Sequence, residues 1–404
     1  MIDLTTLPSC ALPCLTAQCS SNTTCICDIG SAADSCILSA CYLSEALSTR
    51  VRLGKDCQTP ARDRTMEFNL LVFIAGSITV TIVIARLIYK QFFTRKKRLE
   101  MQDWAILIAA IPAIACIGLT SGGLTAHGLG RDIWAVPEAD LLYFGSYFYA
   151  AQILYVTIIA ILKLSLCFFY LNVFPCRITH KILWATVVFH VLGGIAFVVG
   201  IVFECLPISN QWARYDLSAT TPQEAKCISI NALGWANAIL NVASDLWLLL
   251  VPLYQIKQLD LHWKKKIGVT VMFGTGACIT VISFLRLKSL IQFGTTTNPT
   301  WDQWDLVWWS AVEIIVGFLC TSLPTMRLIL VRLAPRIFSN ARNTPRREVW
   351  SSAHDIEISS ICPPSPAKLS SAIYYKDNLI IDPERFEIRT QPLGDVPSFK
   401  KIHS

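Results

Sequence analysis

Charged residues are scarce in this sequence: Asp, Glu, Lys and Arg make up 16% of its 404 residues, against roughly 25% in an ordinary soluble domain. The deficit is concentrated in the middle of the chain. The constellations of catalysis are missing as well. There is no Gly-rich phosphate loop, no His-Glu-x-x-His and no Ser/His/Asp grouping, and the 6 histidines are scattered. An enzymatic reading therefore has no candidate residues, and the expectation is a protein that is not an enzyme. The net charge of +7 is better explained by short basic loops facing an anionic leaflet than by nucleic acid.

What is present is apolar: 53% of the residues are hydrophobic, and the mean hydropathy is +0.48. Seven apolar segments run in series, at 68–88, 104–124, 141–169, 182–203, 228–256, 267–293 and 306–331. Each is about as long as the roughly 20 residues that cross a bilayer as a helix. Helices satisfy their own backbone groups, as a hydrocarbon environment demands. The fold class expected is an all-α membrane protein with three regions. Residues 1–65 form a small disulfide-rich helical N-terminal ectodomain, 66–335 a seven-transmembrane helix bundle, and 336–404 a disordered cytoplasmic tail, Ser/Pro-rich around Cys362-Pro363-Pro364-Ser365-Pro366.

Orientation follows from the basic stretch at 86–104, which separates the first two apolar runs. Basic loops stay on the cytoplasmic side. With the N-terminus outside, the inner loops hold Lys90, Arg95, Lys96, Lys97, Arg98, Arg177, Lys181, Lys257, Lys264, Lys265 and Lys266, and the outer ones only Arg131, Arg214 and Lys226. Arg62 and Arg64, just before the first run, are discordant. The last outer loop is acidic and rich in Trp301, Trp304, Trp308 and Trp309, which suggests an interfacial belt. The location expected is the plasma membrane, with the C-terminus in the cytoplasm. Met1-Ile2-Asp3-Leu4 shows no signal-peptide pattern. Either the first apolar run exports the N-terminus or the sequence begins downstream of a signal.

Half of the 16 cysteines crowd the N-terminal region: Cys10, Cys14, Cys19, Cys25, Cys27, Cys36, Cys41 and Cys57. So short a segment cannot bury enough apolar surface to be stable unaided. The density predicts four disulfides of unspecified connectivity, outside the cytosol. A zinc chelate at Cys25-Ile26-Cys27 is the minor alternative. Cys205 and Cys227 bracket the second outer loop and predict a further bridge. Asn22-Thr23-Thr24 is a glycosylation sequon if this end reaches the secretory lumen.

Charges within the apolar runs are costly and so informative. At ~1.5 Å per residue, Lys163 and Asp245 share an inner depth, and Arg286 and Glu313 share an outer one. Two opposite-charge layers are the simplest arrangement. They serve as structural pairs, or they line a ligand pocket or form a conformational lock.

Two resemblances complete the reading. Pro8-Ser9-Cys10-Ala11 followed by Cys14, then Cys25-Ile26-Cys27, Cys36, Cys41 and Cys57, resembles the eight-cysteine CFEM domain of fungal extracellular membrane proteins. Haem-binding members carry an aspartate between the third and fourth cysteines. Here that segment reads Ser20-Ser21-Asn22-Thr23-Thr24, so haem is disfavoured as a cofactor. The segments at 163–174 (KLSLCFFYLNVF), 231–252 (NALGWANAILNVASDLWLLLVP), 273–287 (FGTGACITVISFLRL) and 312–327 (VEIIVGFLCTSLPTMR) resemble fungal rhodopsin-domain membrane proteins. The combination implies a receptor-like surface sensor. It would have an extracellular ligand and a cytoplasmic signalling partner, such as a G protein. Haem or iron uptake is the alternative. The last apolar run contains no lysine for a retinal Schiff base, and neither an Asp-Arg-Tyr box nor Asn-Pro-x-x-Tyr is present.

Overall fold

The computed structural model describes residues 7–19, 22–28, 33–93, 98–174, 176–217, 226–228, 230–257, 263–293, 297–333, 380–381 and 388–389. Four short helices lead: α1 (Leu12–Cys19), α2 (Thr23–Asp28), α3 (Asp34–Ala40) and α4 (Leu43–Asp56). Disulfides join Cys10–Cys41, Cys14–Cys36, Cys19–Cys25 and Cys27–Cys57. Helices α1, α2 and α3 each carry bridged cysteines, and α4 is tied through Cys57 just past its end. With Cys25 and Cys27 bonded to different partners, the zinc chelate has no thiols to use. Leu15, Ile26, Ile37, Ala46 and Leu53 fill a small core beneath the bridges.

Helix α4 has two apolar faces. Ala46 and Leu53 point into the disulfide core. Leu47 and Val51, one turn apart on another side, join the core of the following bundle. The helix start is secured by the Glu45 carboxylate, which accepts a hydrogen bond from the Tyr42 backbone N–H at 3.2 Å.

Seven long helices follow: α5 (Thr65–Ile88), α6 (Met101–Leu119), α7 (Glu138–Val173), α8 (Arg177–Val202), α10 (Ile230–Lys257), α11 (Trp263–Phe293) and α12 (Pro299–Leu333). All seven are long and apolar enough to cross a membrane. The short α9 (Asn210–Ala213) lies in the α8–α10 connection. Several helices outrun the apolar segments that announced them. Helix α7 begins three residues early, at Glu138, and α12 begins at Pro299 with Asp302 in its first turn. Acidic side chains and proline end a hydropathy run, yet both suit a helix N-terminus.

Helices α6–α7–α8 and α10–α11–α12 pack as successive neighbours, and α5 lies against α12. The cysteines at 205 and 227 form a disulfide across a two-residue antiparallel pairing, β1 (Cys205–Leu206) with β2 (Lys226–Cys227). Apart from a pairing of Ile380–Ile381 with Ile388–Arg389, the tail lies outside the described residues. So do Arg95, Lys96 and Lys97.

Candidate functional site: an intramembrane polar network and its cavity

Two features meet in the middle of the bundle. The first is a buried polar network. Lys163 of α7 places its Nζ 2.8 Å from Asp245 Oδ1 of α10. The same ammonium donates to the Asn241 backbone oxygen at 2.9 Å, to Asn241 Oδ1 at 2.6 Å and to Ser244 Oγ. Arg286 of α11 lies 3.4 Å from Glu313 Oε2 of α12. Tyr155 of α7 donates its hydroxyl to that oxygen at 2.8 Å, and the Arg286 guanidinium sits 4.2 Å from the centre of the Tyr155 ring.

The two pairs are not separate layers. Asn241 Nδ2 donates to Glu313 Oε1 at 2.6 Å. Ser283 Oγ lies 2.7 Å from Asp245 Oδ2 and 3.0 Å from Glu313 Oε1. A single network of two cations and two carboxylates therefore spans α7, α10, α11 and α12. All four charged side chains are buried, so none reaches an aqueous boundary. Removing one charge from such a set strands the others in low dielectric.

The second feature is a cavity of about 350 Å³ among α5, α6, α7 and α12, closed on one side by parts of α8, α10 and α11. Its wall is almost wholly apolar. Tyr155 and Arg286, both members of the network, also line it. The network and the cavity are contiguous at these two residues.

Charged contacts missed by the sequence reading close the bundle at both ends. Away from the disulfide domain, Arg86 donates to Asp103 Oδ1 through Nε at 3.1 Å and Nη2 at 2.8 Å, and through Nη1 to the Thr321 carbonyl. Lys90 Nζ lies 2.8 Å from Asp103 Oδ2. Arg86 opens the basic stretch at 86–104, yet it is 1% exposed and holds α5, α6 and α12 together. Asp103, three residues into α6, was the available signal.

At the other end, Asp132 is fully buried in the α6–α7 connection. It accepts from the Arg62 backbone at 2.8 Å, from Arg62 Nη2 at 2.6 Å and from Asn298 Nδ2 at 2.8 Å. Burial pushes its carboxyl up, but the hydrogen bonds from Arg62 and Asn298 outweigh it and hold the group below the usual carboxylate range. The Arg62 guanidinium stacks on Trp301 at 3.9 Å and that of Arg64 on Trp304 at 3.5 Å. Trp304 is 3% exposed, so it is a buried seat for Arg64 rather than a member of an exposed belt. The discordance of Arg62 and Arg64 was the trace of this junction in the sequence. Gly130, at φ +83°, completes it, since a Cβ there would stand 2.7 Å from Trp304.

Asn22 is exposed, and its Oδ1 accepts from Thr24 N at 3.1 Å and Thr24 Oγ1 at 2.6 Å. Cys116 lines the cavity, Cys278 faces outward, and Cys320 is buried.

A seven-helix membrane bundle carrying a disulfide-stapled helical domain is the class that this architecture defines. Residues 85–332 match the fungal rhodopsin domain, and the chain belongs to that family. The disulfide domain precedes the matched region, and its four bridges fit a CFEM-like module. The chain is 28% identical over 207 residues to a SAT4 family membrane protein of Emericella nidulans, an overlap of 50% of each chain. It is 30% identical over 279 residues to wortmanamides biosynthesis cluster protein C of Talaromyces wortmannii, covering 65% of this chain and 69% of that one. It is 22% identical over 191 residues to Receptor GIN3 of Arthrobotrys oligospora, covering 46% and 44%. The match thus spans about half the length of the SAT4 family relative and less than half of the GIN3 receptor. No solved structure matches.

Proposed function

We propose that this protein is a receptor-like sensor of the plasma membrane, and that the buried network is its conformational lock. One observation carries the reading: Glu313 of α12 is held at once by α7 through Tyr155, α10 through Asn241 and α11 through Ser283 and Arg286. A change at any of these contacts alters the relative energies of two packings of four helices. A signalling ligand acts by such a difference between states. The GIN3 relative, named a receptor, supports the same reading. In this reading the disulfide domain stands outside the cell, and the exposed basic loop residues Arg98 and Arg177 face a cytoplasmic partner, a heterotrimeric G protein or another signalling protein. The chain acts without catalytic chemistry of its own, and neither haem nor retinal is assigned to it.

The test is proximity labelling from an enzyme fused behind Lys401 in a fungal host, comparing the natural chain with Glu313→Gln. The expected outcome is recovery of cytoplasmic signalling proteins, with a changed set in the variant. Recovery of none from either chain would sink the receptor reading.

A further inference from the structure

We infer that the cavity is a binding site for a lipid-soluble, neutral ligand that enters sideways from the bilayer, between α5 and α6. The ligand is largely hydrocarbon and carries one hydrogen-bond-accepting group, such as a hydroxyl or carbonyl. This deepens the receptor reading by naming the ligand class of the site contiguous with the lock.

The walls dictate the route. Toward the disulfide domain, Phe68, Val72, Phe148 and Leu306 line the cavity and belong to the buried cluster that also takes in Leu47 and Val51 of α4. A ligand arriving from water on that side would have to part this cluster. Toward the other end, Val83 and Phe318 line the cavity and pack with Ile106, Ile158 and Leu162. Beyond them lies the buried contact of Arg86 with Asp103 and Thr321. Both ends are therefore closed by packed side chains. The flank between α5 and α6 is different. Val80 and Ile84 of α5 and Ile114 of α6 line the cavity, yet they are 42%, 49% and 63% exposed. In a membrane helix, outward exposure at mid-span means contact with lipid, so the cavity opens to hydrocarbon.

The ligand class follows from the lining. An apolar wall within the membrane favours hydrocarbon and strongly disfavours a water-soluble ligand, whose polar groups would lose their hydration without replacement. Arg286 supplies the orienting contact. A guanidinium has five N–H donors; one is given to Glu313 at 3.4 Å, and the residue also lines the cavity. Glu313 already balances its charge, so a neutral acceptor suffices and a second carboxylate is not required. A ligand held there competes for Arg286 and presses on Tyr155. Those are the two residues through which the cavity reaches the lock.

The probe is a long-chain fatty alcohol carrying a mid-chain diazirine, photolysed with the full-length protein in lipid nanodiscs. Peptides of α5 and α6 lining the cavity are expected to carry the label. Ala113→Phe, which fills the cavity, is expected to take about tenfold less. Ile114→Trp narrows the mouth from the lipid side without burdening the core, and is expected to slow labelling. Leu192→Trp, on the outward face of α8, serves as the control and should change nothing. Melting temperatures establish that each variant is folded. A membrane-impermeant sulfonated analogue added from water should leave the cavity unlabelled.

Label spread evenly over the outward face of α8, or undiminished in folded Ala113→Phe and Ile114→Trp, would overturn the site. Efficient cavity labelling by the sulfonated analogue would overturn the lateral route. The readout needs no signalling partner, so its failure is distinct from failure of the receptor reading.

Discussion

Lys163 shows how much one atom can hold inside a membrane: its Nζ reaches a carboxylate, a side-chain amide, a hydroxyl and a main-chain carbonyl. Lys163→Met leaves Asp245 buried without its partner, and the expected loss is ~3–5 kcal/mol, read as a lowered melting temperature in detergent. The double variant Lys163→Met with Asp245→Leu removes both charges and is expected to recover most of that loss. A double variant as unstable as the single one would show that the ion pair is not the relevant unit. Lys163, Asp245 and Glu313 were legible because each interrupts a long uncharged run, and Arg286 because it follows one. Asn241 and Ser283, which fuse the two pairs, were not, because small polar residues in membrane helices usually bond to their own backbone.

At the junction, titration acts in two directions. Hydrogen bonds from Arg62 and Asn298 keep Asp132 depressed, so its contribution is complete above the ordinary Asp value of 3.8 and is lost as pH falls through its depressed one. Asp63 is likewise depressed, by Thr65 and Arg131 against the effect of burial, and acts in the same sense. Asp34 is raised by burial, which exceeds the opposing effects of Thr297 and Arg50. Its charge therefore costs stability at high pH, and that cost is relieved as pH falls through its raised value. Docking of the disulfide domain is expected to weaken in strong acid, as Asp132 and Asp63 protonate, and again toward neutral pH, as Asp34 ionises, read by the fluorescence of the junction tryptophans. Asp132→Asn should shrink the acid limb to the part that Asp63 contributes, and Asp34→Asn should remove the loss toward neutral pH.

Among the elements, α4 decides whether the disulfide domain is a pendant module or part of the bundle. Its Gly54 lies so close to the α6–α7 connection that a Cβ would stand 2.5 Å from Trp134 Cγ. Gly54→Leu is expected to force the ring away at a cost of ~1–3 kcal/mol. Hydrogen exchange should then rise at Leu47, Val51 and Ile133, while the core around Leu15 and Ile37 stays protected by its four disulfides. Unchanged exchange at Ile133 would show that Gly54 is not the point of close approach. The helical spacing of Leu47 and Val51 was readable. Their target was not, because an apolar face does not say which surface covers it.

For the whole molecule, the decisive measurement is orientation. A tag placed before Cys10 is expected to react with an impermeant reagent on intact cells, and one behind Lys401 only after permeabilisation. Asn22, exposed in the disulfide domain, is expected to carry a glycan that an endoglycosidase removes, with a matching mobility shift absent from Asn22→Gln. Labelling of the C-terminal tag on intact cells would reverse the orientation and remove the receptor proposal with it.

By itself, the sequence determined the number of membrane helices, the stapling of the N-terminal region and the identity of the four charges in the central network. Each of these is a one-dimensional property: a hydropathy run, a cysteine density, or a charge within an uncharged stretch. Tertiary structure decided the rest. It alone paired the eight cysteines, since spacing does not order the partners. It turned Arg62 and Arg64 from exceptions into the clasp on Asp132 and the two tryptophans. It also drew Arg86 into the bundle and placed the cavity beside the lock. The physical reason is common to all of these: burial and partnership are set by residues from distant parts of the chain meeting at one place, as at Glu313, where four helices converge.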